Sequence, residues 1–266
     1  MDVKKRADII TKWINNYCDE SSYKPKALVI GISGGIDSSV VSALCASTGR
    51  KTIVLTMPIK QIKSQHDLSL THAKWLKDKY KNVEHHLIEM DKIFNSFSQV
   101  LNNFDNEHGY ANSRARLRMA TLYQVAAANS GLVVGTGNKV EDFGVGFYTK
   151  YGDGGVDISP IADCTKTQVW ELGKFLGVSE KIINSEPTDG LWNDARTDKS
   201  QLTYDYDILE QVMKLHENGE YPTDELKDAY NKYSKYHNEN KHKMQPIPVY
   251  KVNRDRGIDE DAFNGA

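Results

Sequence analysis

The stretch Gly31-Ile32-Ser33-Gly34-Gly35-Ile36-Asp37-Ser38-Ser39 constrains this chain more than any other. It lies between an apolar run, Ala27–Ile32, that reads as a strand and a helical pattern over about 37–48. Where a strand turns into a helix, unpaired N–H groups and the positive helix end converge on an anion site. Gly34 and Gly35 let the backbone curl around an oxyanion without Cβ obstruction, and Ser33, Ser38 and Ser39 can add hydroxyl donors. Asp37 is a carboxylate among these groups and repels an anion unless a divalent cation lies between them. Mg²⁺ carried with a polyphosphate resolves the conflict, because it takes one or two carboxylates together with phosphate oxygens. No Gly-Lys-Ser/Thr follows, so the loop is not a Walker A motif, nor does it read GxGxxG.

Further apolar runs at Ile53–Met57, Val83–Ile88 and Leu132–Gly135 read as strands, with helical patterns at about 65–79, 90–104 and 113–129 between them. Short strands alternating with helices of this length predict an α/β fold, a doubly wound, mostly parallel sheet flanked by helices. An N-terminal helix over about 3–17 is expected to pack on the sheet through Ile9, Ile10, Trp13 and Ile14. A glycine-rich irregular stretch, 135–163, is too long for a bare connector, and such loops usually carry function. Helices are expected at Thr165–Leu176, 204–217 and 223–238, with a polar segment at Glu186–Gln201. A single domain over 1–266 is expected, with mobile loops near 137–163 and 186–201.

The chain carries 34 basic and 36 acidic residues, a net charge of −2 that argues against a nucleic-acid coat or an anionic-membrane binder. An anionic substrate must therefore be held by local groups. No stretch approaches the ~18 apolar residues of a membrane helix. Cys18, Cys45 and Cys164 are never spaced as CxxC, so neither a disulfide framework nor a zinc site is indicated, and Cys45 reads as a core residue. Met1–Lys12 lacks the pattern of a secretory signal, and a cytoplasmic location is expected.

Ser33-Gly34-Gly35-Ile36-Asp37-Ser38 resembles the pyrophosphate loop of the N-type ATP pyrophosphatases, which cleave ATP to AMP and pyrophosphate on an adenine-nucleotide alpha-hydrolase-like fold. Asn112-Ser113-Arg114-Ala115-Arg116-Leu117-Arg118-Met119 with Tyr123 resembles a helix of the NAD synthetases within that superfamily. The block Phe147-Tyr148-Thr149-Lys150-Tyr151-Gly152-Asp153-Gly154-Gly155-Val156-Asp157, with Pro160 and Thr165-Lys166, resembles a second NAD synthetase signature. Glu186-Pro187-Thr188 and His242-Lys243 follow in the same order. The chain departs from the family's Gly-Thr-Asp-His-Ala-Ala-Glu with Gly135-Thr136-Gly137-Asn138-Lys139-Val140-Glu141-Asp142, in which Thr136 and Glu141 keep their spacing.

Three cations at 114, 116 and 118 beside Tyr123 offer charge-assisted bonds and a stacking surface to an anionic substrate. Residues 116 and 123 share one helical face, whereas 114 and 116 diverge. Arg114 is accordingly expected to be solvated. Lys166 opens a helix, where the dipole disfavours a cation unless an anion is bound there.

The resemblance implies an ammonia-dependent NAD synthetase. ATP activates the pyridine carboxylate of deamido-NAD as an acyl-adenylate, which ammonia converts to the amide. It further implies ATP contacts at Gly31, Ile32, Ser33, Gly34, Gly35, Ile36, Asp37, Ser38, Thr136, Lys166 and Thr188. Asp37 and Glu141 would hold Mg²⁺, and Asn112, Arg116, Tyr123, Lys150, Asp157, His242 and Lys243 the dinucleotide. Asp153 and Lys166 are the candidates for catalysis, Asp153 as the group that orients ammonia or takes its proton. A homodimer is implied, with the dinucleotide site at the subunit interface, and 186–201 is a candidate lid. With no room for a glutaminase ahead of the first strand, free ammonia is the expected donor. The rivals are a tRNA thiolase, a GMP synthetase-like enzyme and a nucleotide-binding module without turnover. The absence of a cysteine pair and of a basic surface speaks against the first, and the block at 147–157 against the second.

Overall fold

Four strands, β1 (Ala27–Gly31), β2 (Lys51–Thr56), β3 (Val83–Leu87) and β4 (Gly131–Val133), pair in parallel in the order β3-β2-β1-β4. The computed structural model describes residues 1–61, 63–185 and 203–250. The strands fall within a residue or two of the sequence expectation, because β1, β2 and β4 are rich in β-branched and aliphatic side chains, whereas the edge strand β3 keeps only Val83 and Leu87 of that kind. The alternation of β1 divides the molecule. Leu28 and Ile30 point into one core with α1 (Val3–Glu20), α2 (Ile36–Ser47), α3 (Lys63–Lys79) and α6 (Lys166–Leu176). Ala27 and Val29 point into the other, with α4 (Asp91–Val100) and α5 (Glu107–Ala128).

The chain steps outward from β1 to β2 to β3, then returns to the far side of β1 to lay down β4. Strand order thus reverses between β1 and β4, and the crevice beyond their C-terminal ends is where open parallel sheets bind ligands. The glycine loop after β1 and the loops after β4 both empty into it. A third cluster lies beside them, formed by Val140 and Val145 with residues of α8 (Tyr206–Asn218) and α9 (Lys227–Met244). The short α7 (Glu180–Ile183) follows α6.

The structure corrects three expectations. On α1, only Ala7, Ile10, Ile14 and Cys18 are buried, while Ile9 and Trp13 are 46% and 44% exposed. The helix packs on α2 and α6 in an outer layer, so a narrow stripe suffices to cover its contact. The helix expected over 90–104 ends at Val100 and tightens into a 3₁₀ turn, Asn102–Phe104. The stretch 135–163 is not wholly irregular, for Lys139–Val145 forms a π-helical turn. Asn138 starts that turn by accepting from the N–H groups of Val140 and Glu141, both at 3.1 Å. Among the described residues no helix is long and apolar enough to cross a membrane.

Candidate active site

The loop after β1 is a backbone cradle shaped by its own side chains. Gly34 has φ +94°, and a Cβ there would stand 2.6 Å from the Gln65 carbonyl, so only glycine fits. Gly35 has ordinary extended φ and serves as the N-cap of α2; its freedom is not what the curl requires. The serine hydroxyls mostly build the loop. Ser33 Oγ accepts from Gly35 N at 3.1 Å and lies 3.1 Å from Ser38 Oγ. Ser39 Oγ donates to Gly35 O at 2.8 Å and is fully buried, so the ligand-donor role expected for Ser39 is replaced by a structural one.

Asp37, in the first turn of α2, meets Lys166, the first residue of α6. Lys166 is 1% exposed and donates to Asp37 Oδ2 and to Glu141 Oε1, each at 2.7 Å. The anion that offsets its unfavourable helix position is therefore supplied by the protein's own carboxylates. Burial would lower the Lys166 ammonium, but the two carboxylates hold it above the usual lysine range. Asn138 Nδ2 donates to Asp37 Oδ1 at 3.0 Å and to Glu141 Oε2 at 2.7 Å, closing the cluster from a third side.

Tyr206 of α8 donates its hydroxyl to Glu141 Oε1 at 2.5 Å, and its ring lies 5.1 Å from Lys166 Nζ. Burial alone would raise Glu141, yet Lys166, Tyr206 and Asn138 together hold it below its ordinary value. Asp37 has fewer donors, and burial pushes it up. Asp142, the next residue, lies so close to Gly137 that a Cβ there would fall 1.8 Å from Asp142 Oδ2. Burial lifts the Asp142 acid well above its ordinary value, with Asp153, Glu141 and Asp37 adding to the effect.

Asp37, Glu141, Asp142 and Lys166 line a cavity of about 780 Å³. Gly31–Ser38, Thr136, Glu141, Asp142 and Lys166 lie on the strand side, and Asn112, Arg116, Lys150, Asp153, His242 and Lys243 on the other. The second set is cross-tied. Thr149 Oγ1 donates to Asn112 Oδ1 at 2.6 Å, and Arg116 Nε to the Lys150 carbonyl at 3.3 Å. Lys150 Nζ reaches the His242 carbonyl at 2.8 Å, and Lys243 Nζ the carbonyls of Gly146 and Tyr148 at 2.8 and 3.0 Å. Asp153 Oδ1 accepts from Thr149 N at 2.9 Å and pins the loop that carries it.

Two expected ligands lie off the cavity wall. Tyr123 donates to Asp157 Oδ1 at 3.0 Å, while Asp157 Oδ2 accepts from Val133 N of β4 at 2.8 Å. The solvated position expected for Arg114 is overturned, since it is buried with its guanidinium 4.9 Å above the Phe94 ring. The residues α5 buries, Ala111, Arg114, Ala115 and Ala126, share one face of the helix, and Arg114 lies on it. Thr188 and the candidate lid 186–201 lie outside the described residues. No sequence motif marks Asn138 or Tyr206 as part of the site. Asn138 carries an Asx-type N-cap signal ahead of Glu141, but no local pattern marks Tyr206.

The donor set fits a hard dication. Asp37, Glu141 and Asp142 share one buried cation, Lys166, and among the described residues no donor reaches the Asp142 carboxylate. No group of three or more metal-ligating side chains is assembled among the described residues. Protein carboxylates would therefore supply only part of an oxygen shell, the arrangement Mg²⁺ adopts when phosphates complete it.

The family model described as NAD synthase matches residues 7–247. The NH(3)-dependent NAD(+) synthetase of Sulfurisphaera tokodaii is 34% identical, with 98% of this chain and 93% of that protein covered. That of Alkaliphilus metalliredigens is 36% identical over 80% of this chain and 87% of its own. Among solved structures, the NMN synthetase from Francisella tularensis is 30% identical with a TM-score of 0.83, covering 95% of this chain and 100% of that one. The NH3-dependent NAD synthetase from Campylobacter jejuni, at 24% identity and TM-score 0.76, shares the fold over 94% of this chain and 100% of that one.

Proposed function

The chain belongs to the NAD synthase family, and from that premise we propose that it amidates deamido-NAD with ammonia at the expense of ATP. The observation that carries this reading is the meeting of the glycine cradle, Asp37, Glu141 and Lys166 at the sheet's switch point, opposite a wall of cations. A pyridine carboxylate is negatively charged and has no leaving group. Its oxygen attacks the α-phosphorus of ATP, the bond to the bridging oxygen breaks, and pyrophosphate leaves with the electron pair. Ammonia then attacks the acyl carbon, loses a proton, and AMP departs from NAD.

Both nucleophiles are substrates, so the protein's work is positioning and charge neutralisation. The loop 31–38 with Thr136 and Thr188 holds ATP, and Lys166 swings from its carboxylates to the phosphates. Asp37 and Glu141 would hold Mg²⁺, which when bound would offset charge developing on pyrophosphate. Asn112, Arg116, Lys150, His242 and Lys243 hold the dinucleotide. Tyr123 and Asp157 fix the loop behind them to β4. Asp153 faces the cavity and orients ammonia. A cytoplasmic homodimer is part of the same reading. The exposed apolar side chains Ile93, Val100 and Phe104, at 51%, 80% and 78%, give its face on α4 and the following turn.

One observation favours a second reading, amidation of the nicotinate mononucleotide: the likeness to a protein titled NMN synthetase. Exchange of labelled pyrophosphate into ATP, run with each acid in turn, tests both. Exchange that depends on deamido-NAD supports the first reading, and exchange with the mononucleotide alone replaces it. Exchange that needs neither acid refutes both. Comparing ammonium with glutamine in the full reaction tests the nitrogen donor.

A further inference from the structure

Arg118 is a cation on the cavity wall to which the reading above gives no role. Its Nε donates to the Met57 carbonyl at 2.9 Å, the one hydrogen bond its guanidinium makes among the described residues. Among the described residues its terminal nitrogens have no protein acceptor, and the residue lines the cavity. Burial and neighbouring Arg114 lower its pKa to about 10, with Asp153 opposing, so it stays protonated at neutral pH.

Its place in the fold narrows what it can bind. Met57 follows β2 and lies against Gly31 at the end of β1, where a Cβ would stand 3.3 Å from Met57 Cε. α5 packs on the face of the sheet opposite α2 and α6, so Arg118 and the Lys166–Asp37 pair approach the cradle from opposite faces. The charge of Asp153, in the loop facing the cradle, is felt at Arg118. The guanidinium therefore sits where the nucleotide cradle meets the loop that presents the acid, away from the side on which pyrophosphate and its metal are held.

We propose that Arg118 holds the α-phosphoryl group of ATP, and then the phosphate of the adenylate and of AMP, through its two terminal nitrogens. The proposal rests on the nucleotide reading of this site. A planar fork suits two oxygens of one phosphate, and it relieves the repulsion between that group and the incoming carboxylate. No proton moves to or from Arg118 in the step.

Binding of AMP, adenosine and Mg²⁺–pyrophosphate to the full chain is measured for wild type, Arg118→Gln and Arg118→Lys. In Arg118→Gln, AMP should weaken about 30-fold while adenosine and pyrophosphate bind as before. Arg118→Lys, which keeps the charge but not the fork, should fall between. Unchanged adenosine binding shows that the variant is folded. Equal weakening of AMP and adenosine, or weakened pyrophosphate with unchanged AMP, overturns the assignment and leaves the nucleotide reading standing. Failure of the wild type to bind AMP overturns both.

Discussion

Lys166 Nζ lies 2.7 Å from Asp37 Oδ2, across 129 residues of chain, and joins the first turns of two helices. Glu141 completes the pair, so that one buried ammonium stands between two carboxylates.

Removing the cation should therefore unbalance two carboxylates at once. Lys166→Met is expected to lower stability by roughly 3 kcal/mol, the usual range for a buried charge left without its partner. Millimolar Mg²⁺ should restore part of that loss, because a dication can replace the ammonium between Asp37 and Glu141. Thermal melts with and without magnesium check both statements. A melt indifferent to the metal contradicts the placing of Mg²⁺ on these carboxylates.

Tyr206 gives a milder test of the same cluster. Tyr206→Phe removes a hydroxyl that donates to Glu141 Oε1 and keeps the ring beside Lys166 and Trp170. Groups that orient metal ligands typically change metal affinity 10–100-fold, so the Mg²⁺ concentration for half-maximal activity should rise about tenfold. The melting temperature should move little. Titrating activity against Mg²⁺ in the two proteins decides it.

His72, 1% exposed on α3, lies 3.0 Å through Nε2 from Ser42 Oγ and stacks on Trp75. Burial lowers it to about 4 from the ordinary 6.5. The folded state thus binds fewer protons than the unfolded chain between these values, and stability is lost as pH falls through that window. The loss from this one group should total about 3 kcal/mol between pH 6.5 and 4, and it should be absent above. Denaturant melts of wild type and His72→Gln across that range should differ in slope by this contribution.

The α4 face supplies a fourth expectation. If Val100 and Phe104 are covered by a second copy, the double substitution Val100→Glu, Phe104→Glu should shift sedimentation to the monomer without lowering the melting temperature of the isolated fold. A wild type that sediments as a monomer at micromolar concentration contradicts the dimer.

Local signals were legible in the sequence and long-range ones were not. The cradle could be read from Gly34, Asp37 and the serines because its shape is set within a few residues of a strand end. The partners of Lys166 could not, since Asp37 and Glu141 reach it only through the sheet order β3-β2-β1-β4, which no spacing encodes. Arg114 shows the same limit from another side, because a basic residue on α5 can bury its stem and stack its guanidinium on Phe94 of the neighbouring helix. Tyr123 and Asp157 illustrate a third case. Their matching motifs place them near one another, but the hydrogen bond that joins them, and its extension to β4, appears only in three dimensions.

Transfer of oxygen from the acid to the nucleotide is the most direct test of the central claim. With ¹⁸O in the pyridine carboxylate of deamido-NAD, turnover should place one labelled oxygen in the phosphate of AMP and none in pyrophosphate. Label in pyrophosphate, or AMP free of label, would contradict activation of the carboxylate at the α-phosphorus.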